Sequence, residues 1–160
     1  MLTVNVICVG KLKEDYLRSA CAEYAKRLGA FCKLNIVQLT PAYLPENPGK
    51  AQIALALKEE AKKISACVSK GDVVFAMCIE GAQMSSEEFA GLLDSCALEG
   101  ESTVDFIIGS SYGLDDEIKK SSKKLISMGK MTFPHQLARV MLLEQIYRAF
   151  SILGSGKYHK

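Results

Sequence analysis

The chain has 160 residues, 49% hydrophobic and 24% charged, with a mean hydropathy of +0.11. That is enough for one globular domain, 1–160, with a sizeable core, and it leaves no apolar run near the roughly 20 residues of a membrane span. A formal net charge of +2 decides nothing alone, but residues 1–110 hold 11 Lys/Arg against 14 Asp/Glu and residues 111–160 hold 9 against 4. The basic C-terminal third suits either a polyanion or a solvated lysine-rich face.

Leu2–Val9 is a β-branched run ending at Gly10, and it reads as a strand rather than a signal peptide. Glu14–Leu28 places Leu17, Ala20, Cys21, Tyr24, Ala25 and Leu28 at helical spacing. Leu34–Leu39 predicts a second strand. Residues 40–50 hold three of the four prolines and predict a loop, with Asn47 as N-cap, Pro48 at the first helical position and a helix to about Val68. Asp72–Ile79 is almost continuously apolar, as expected of a central strand covered on both sides. Ser85 and Glu88 form a capping-box signature for a helix to about Leu98. Val104–Ile108 is another buried strand, Asp115 or Asp116 caps a short helix through Lys124, and Leu125–Met128 is a fifth strand. Pro134 opens a last helix to about Leu153.

This alternation predicts an α/β fold, a mostly parallel sheet with helices on both faces. Six scattered cysteines without a C-x-x-C pair argue against structural zinc and against a disulfide framework, and a reducing cytoplasm is expected. No metal is expected.

Ligands of open parallel sheets gather at the carboxyl ends of the strands. Three turns qualify: Glu80-Gly81, Gly109-Ser110-Ser111-Tyr112-Gly113, and Gly129-Lys130-Met131-Thr132. Neither G-x-G-x-x-G after the first strand nor G-x-x-x-x-G-K-[ST] occurs, which disfavours dinucleotide oxidoreductases and phosphate-loop nucleotidases. G-x-S-x-G is also absent, and the only histidines are His135 and His159. The last helix is apolar on several sides, so it threads the core or forms a subunit interface. Arg139 lies in its first two turns, and Glu144 and Arg148 stand at i, i+4 as an ion pair.

The blocks FIIGSSYGL (106–114), KMTFPHQLARVMLLEQIYRA (130–149) and the terminal YHK (158–160) resemble the bacterial family that N3-methylates a pseudouridine in 23S ribosomal RNA, a branch of the SPOUT methyltransferases. VGKLKE (9–14) and the stretch 79–90 fit it too, so the resemblance spans the chain. It implies S-adenosyl-L-methionine as methyl donor, the assembled ribosome as substrate, a homodimer, and a C-terminal trefoil knot over about 104–155. Carried over by residue, the cofactor pocket falls on Met77, Gly109, Met128, Gly129, Lys130, Met131, Thr132 and Phe133. His159, Tyr158 and Arg139 are the candidate catalytic helpers, with Lys160 beside them. Two departures stand out: Ser110 replaces the usual second glycine, and Met128-Gly129 stands where S-x-S patterns are common. Lys119, Lys120, Lys123 and Lys124 either hold RNA phosphates or form a solvated face. A SPOUT enzyme acting on transfer RNA, or a non-catalytic ribosome-binding factor, are the competing readings.

Overall fold

Each of the five strands is followed by a helix in the computed structural model, which describes residues 1–154. In chain order these are β1 (Thr3–Val9), α1 (Asp15–Leu28), β2 (Lys33–Leu39), α2 (Lys50–Cys67), β3 (Val73–Gln83), α3 (Ser86–Leu98), β4 (Thr103–Ile108), α4 (Asp116–Ser121), β5 (Lys124–Ser127) and α5 (His135–Gly154). The strands form one sheet in the order β2-β1-β4-β3-β5, and every pairing is parallel. A parallel neighbour requires a crossover, and the helices provide it.

Alternation along the strands divides the core in two. Val4, Val6 and Cys8 of β1, with Phe75, Phe106 and Ile108, face α1, α3 and α5. Ile7 and Val9, with Val74, Ala76 and Ile107, face Ala61 and Ile64 of α2 and Ile118 of α4. Both faces are thus covered, which is why the inner strands read as mainly apolar runs, interrupted at Asn5 and Asp105. The greasy α5 lies between α1 and α3, burying Leu142, Leu143, Ile146 and Ala149. Glu144 accepts from Arg148 Nε at 2.9 Å, the expected helical pair.

Three boundaries differ from the sequence expectation. Asn47 does not cap α2: it takes a positive φ of 51°, which asparagine tolerates better than most residues. Gly49 caps instead, its N–H donating to Gln52 Oε1 at 2.8 Å. Strand β3 runs four residues past Ile79, to Gln83, because a bulge lets both Met77 and Ala82 pair with Ile126. Gly81 permits that approach, since a Cβ there would meet Ile126 N at 2.6 Å. Helix α4 stops at Ser121, and Lys124 belongs to β5, where it pairs with Phe75. The Ser85–Glu88 capping box and the Asp115 cap both form.

A polar ladder crosses β2, β1 and β4. Asn35 Nδ2 donates to Asn5 Oδ1 at 2.8 Å, and Asn5 Nδ2 donates to Asp105 Oδ1 at 2.7 Å. Asp105 is fully buried, and burial pushes its carboxyl up to about 6, with Asp72 adding to the rise and the Asn5 bond opposing it. The folded state therefore keeps a proton that the unfolded chain releases from about pH 4, so stability falls as pH rises through about 4–6 and stays lower above. Asp105→Asn keeps an acceptor for Asn5 without the charge. It is expected to raise stability at pH 8 by about 1–2 kcal/mol, and by little at pH 4, in urea unfolding.

All six cysteines are free thiols. Among the described residues no helix is long and apolar enough to cross a membrane, and no three His, Cys, Asp or Glu side chains gather as metal ligands.

Candidate active site

The turns after β4 and β5 and the residues of β3 at its bulge border one cavity of about 740 Å³, with the start of α5 on another side. Its walls come from residues 77–80, 108–114, 126–129 and 131–135, with Lys119 and Ala138. The turn expected at Glu80-Gly81 is instead part of β3, because the strand continues through the bulge to Gln83.

The turn after β4 is closed by Gly113 N–H donating to the Ser110 carbonyl at 2.9 Å, with Gly113 at a φ of +86°. It folds so tightly over Gly109 that a Cβ there would lie 2.3 Å from the Gly113 carbonyl oxygen. Glycine is a steric requirement at this position. The Ser110 hydroxyl points away to α2, donating to Glu60 Oε1 at 2.9 Å. The second Glu60 oxygen accepts from Ala42 N–H at 3.0 Å.

The turn after β5 is held by Ser127. Its buried hydroxyl donates to the Gly129 carbonyl at 2.9 Å and accepts the Gly129 N–H at 3.2 Å. Gly129 has a φ of +135°, and the space where its Cβ would stand is open. A hydroxyl thus remains in this turn although Met128-Gly129 departs from the common pattern. On the β3 side, Glu80 and Lys119 pair at 2.6 Å on the cavity rim. The Lys119 hydrogen bond is the main reason the Glu80 carboxyl sits below its ordinary range.

At the mouth of α5, His135 packs against Gly10, whose Cβ would lie 3.2 Å from His135 Nε2. Burial first, then the charges of Arg139 and Lys13, lowers the imidazole pKa, so the ring is neutral at neutral pH. Arg139 is buried behind it. Its Nη1 donates to Gln38 Oε1 at 2.7 Å and its Nη2 to the Gly10 carbonyl at 2.9 Å, while Nε has no hydrogen-bond partner among the described residues. Gln136 Oε1 accepts from Lys13 N–H at 3.0 Å, a second tie between α5 and the loop after β1.

Of the residues singled out from sequence, Met77, Gly109, Met128, Gly129, Met131, Thr132 and Phe133 share this cavity. Lys130 is exposed and does not line it, and Arg139 stands outside its wall. Tyr158, His159 and Lys160 lie outside the described residues. Of the four lysines considered for RNA, Lys119 is paired with Glu80, and Lys123 with Glu99 at 2.9 Å. Sequence reasoning missed Ser127 and Glu60. Helical phase held a signal for Glu60, because it shares the buried face of α2 with Ala56 and Ile64 at steps of four. A second cavity of about 520 Å³ opens between α3 and α5, sharing Met77 and residues 126–129 with the first.

The comparisons with known proteins agree along the whole chain. A family model described as "Predicted SPOUT methyltransferase" matches residues 2–159. Ribosomal RNA large subunit methyltransferase H of Streptococcus thermophilus (strain CNRZ 1066) is 47% identical over 159 residues, covering 99% of this chain and 100% of that protein. The protein of the same name from Clostridium botulinum (strain Langeland) is 43% identical with the same coverage. A crystal structure of a probable methyltransferase from Bordetella pertussis Tohama I shares the fold, with a TM-score of 0.57 at 14% identity over 92% of this chain and 93% of that one. With the family model matched nearly end to end and such relatives aligned over their full length, this chain belongs to the SPOUT methyltransferases.

Proposed function

We propose that the chain transfers a methyl group from S-adenosylmethionine to N3 of a pseudouridine in 23S ribosomal RNA, on the assembled ribosome in the cytoplasm. The observation that carries this reading is the meeting of the turns after β4 and β5 with the middle of β3 around one cavity, in a chain whose full-length relatives are named ribosomal RNA large subunit methyltransferase H. SPOUT methyltransferases in general use S-adenosylmethionine, and the cavity suits it. Its volume lies within the range of small-molecule sites. Apolar side chains of Met77, Ile108, Ile126 and Phe133 offer walls for an adenine ring. Gly129 takes a φ of +135°, which side-chain-bearing residues rarely adopt, and leaves open space beside the turn. Among the described residues, the N–H groups of Lys130, Met131, Thr132 and Phe133 make no hydrogen bond within the chain, so they are available to a ligand.

When bound, S-adenosylmethionine supplies a methyl group already activated on a sulfonium. The protein's part is alignment and the removal of one proton. Met77, Gly109, Met128, Gly129 and the stretch Met131–Phe133 hold the donor, the part of Lys130 being its backbone N–H, and the Ser127 hydroxyl keeps the last turn in shape. Near-attack alignment is worth about 7–11 kcal/mol in favourable cases. His159, with Tyr158, takes the N3 proton of the acceptor base, a step for which imidazole is suited near neutral pH. Arg139 acts by fixing the start of α5 against Gly10 and Gln38 rather than by touching substrate.

The enzyme works as a homodimer. Support comes from the half-buried apolar surface of Val140 and Met141 beside the second cavity. The stretch from β4 to α5 is read as a trefoil knot: β5 ends at the far edge of the sheet, and the chain returns to lay α5 back across β4.

The test incubates the protein and labelled S-adenosylmethionine with ribosomes lacking the methylation, with free 23S RNA and transfer RNA alongside, and maps the products by mass spectrometry. A single N3-methylpseudouridine in ribosomes only is expected. Label in transfer RNA overturns the substrate, and failure to bind S-adenosylmethionine in calorimetry overturns the cofactor site.

A further inference from the structure

Glu60 is a carboxylate with 4% of its surface exposed, and among the described residues no cation pairs with it. A buried charge without a counter-ion depends on its hydrogen-bond donors. Here each oxygen has one, and the two donors come from different loops. Ser110 Oγ, from the turn after β4, reaches Oε1 at 2.9 Å, and Ala42 N–H, from the loop after β2, reaches Oε2 at 3.0 Å. Lys63, one helical turn on in α2, donates to the Thr40 carbonyl at 2.9 Å and secures the same loop.

The two bonds to Ser110 divide its labour. Its carbonyl closes the turn with Gly113, while its hydroxyl ties the turn down onto α2. Residues 109–113 line the cavity. A glycine at position 110 would close the turn equally well but would give Glu60 nothing to hold.

We propose that Glu60 is a positioning residue for the cofactor site, latching the turn at 109–113 to α2 through Ser110. The inference rests on the reading that S-adenosylmethionine binds in this cavity. The carboxylate fixes the height of one wall, and the loop after β2 is set in register with it by the second oxygen. Ser110, which departs from the glycine usual in the resembled family, works as one pair with Glu60.

The test measures S-adenosylmethionine affinity by calorimetry and, without any ligand, amide hydrogen exchange at Gly113. Ser110→Ala and Glu60→Ala are each expected to weaken binding about tenfold, the scale of a hydrogen bond to a charged group. The double variant should bind little worse than Glu60→Ala alone, because that change already removes the Ser110 contact along with the Ala42 one. Glu60→Gln should stay within about threefold, since its amide oxygen accepts from Ala42 and its nitrogen donates to the Ser110 hydroxyl. Gly113 exchange should quicken in Ser110→Ala and stay slow in Glu60→Gln. Should Glu60→Ala not fold, Ser110→Ala and Glu60→Gln decide the matter. Lower melting temperatures with unchanged affinity, or unchanged Gly113 exchange, overturn the latch and leave the cavity's assignment standing. A native chain that binds no S-adenosylmethionine overturns both.

Discussion

Gly109→Ala is expected to weaken S-adenosylmethionine binding by at least about a hundredfold and to cost about 1–3 kcal/mol of stability, the scale of overpacking a close-packed site. The added methyl would lie 2.3 Å from the Gly113 oxygen, 2.7 Å from its carbon and 2.9 Å from Leu114 Cδ2. Two of these three neighbours are backbone, so no rotamer change relieves them. The turn itself must open, which breaks the Gly113–Ser110 bond and moves the wall that residues 109–113 present to the cavity. Calorimetry with S-adenosylmethionine, beside a thermal melt, separates the two effects. Unchanged affinity in a folded variant would remove this turn from the cofactor site.

Arg139→Met carries the largest expected loss of stability, about 2–4 kcal/mol in urea unfolding. Methionine fills much of the same volume, but the Gly10 carbonyl and Gln38 lose their donors, and Gly10 lies in a buried segment. Lysine at this position should recover only part of the loss, because one ammonium does not reproduce the guanidinium fork that spans both acceptors. His135 and Ala138 line the cavity from the same end of α5. Methyl transfer is therefore expected to fall at least about tenfold even where the variant remains folded, as small displacements in an active site do. A variant of native stability that is nonetheless inactive would instead assign the guanidinium to substrate.

These expectations show which parts of the molecule are written locally and which are not. The five strands and five helices follow from residue period and caps, because a strand buried on both faces is mostly apolar, as 73–79 is and as 104–108 is apart from Asp105. The Ser85–Glu88 box and the Asp115 cap are likewise local chemistry. The order of strands is not local: that β4 lies beside β1, and β5 outside β3, depends on contacts between residues far apart in the chain. The extension of β3 to Gln83 carries no strand signal in the sequence, because Glu80-Gly81-Ala82-Gln83 is largely exposed, contains a glycine and pairs through a bulge. Within the site, Gly109 and the stretch 128–133 were legible as strand-end turns. Arg139 was legible as a residue near them, yet its burial against Gln38 was not, since a single arginine in a helix carries no mark of what it will face. Glu60 was hidden inside the run Lys58–Lys63, where its composition matches a solvated surface and only its phase betrays it.

The position of β1 has a kinetic consequence. It is flanked by β2 and β4, and its pairing with β4 joins residues 3–8 to residues 103–108. Closing so long a loop is entropically slow, and folds dominated by such non-local pairings collapse to the native state far more slowly than those built from neighbours. As the chain emerges from the ribosome, β1 and β2 can meet early, but the inner edge of β1 stays unpaired until residue 108 has been synthesised. During that interval Val4, Val6 and Ile7, which end fully covered, have no partner strand on that side. An early, incomplete sheet with an open apolar edge is the species from which aggregation starts. The first hundred residues are thus the stretch for which shielding during synthesis matters most.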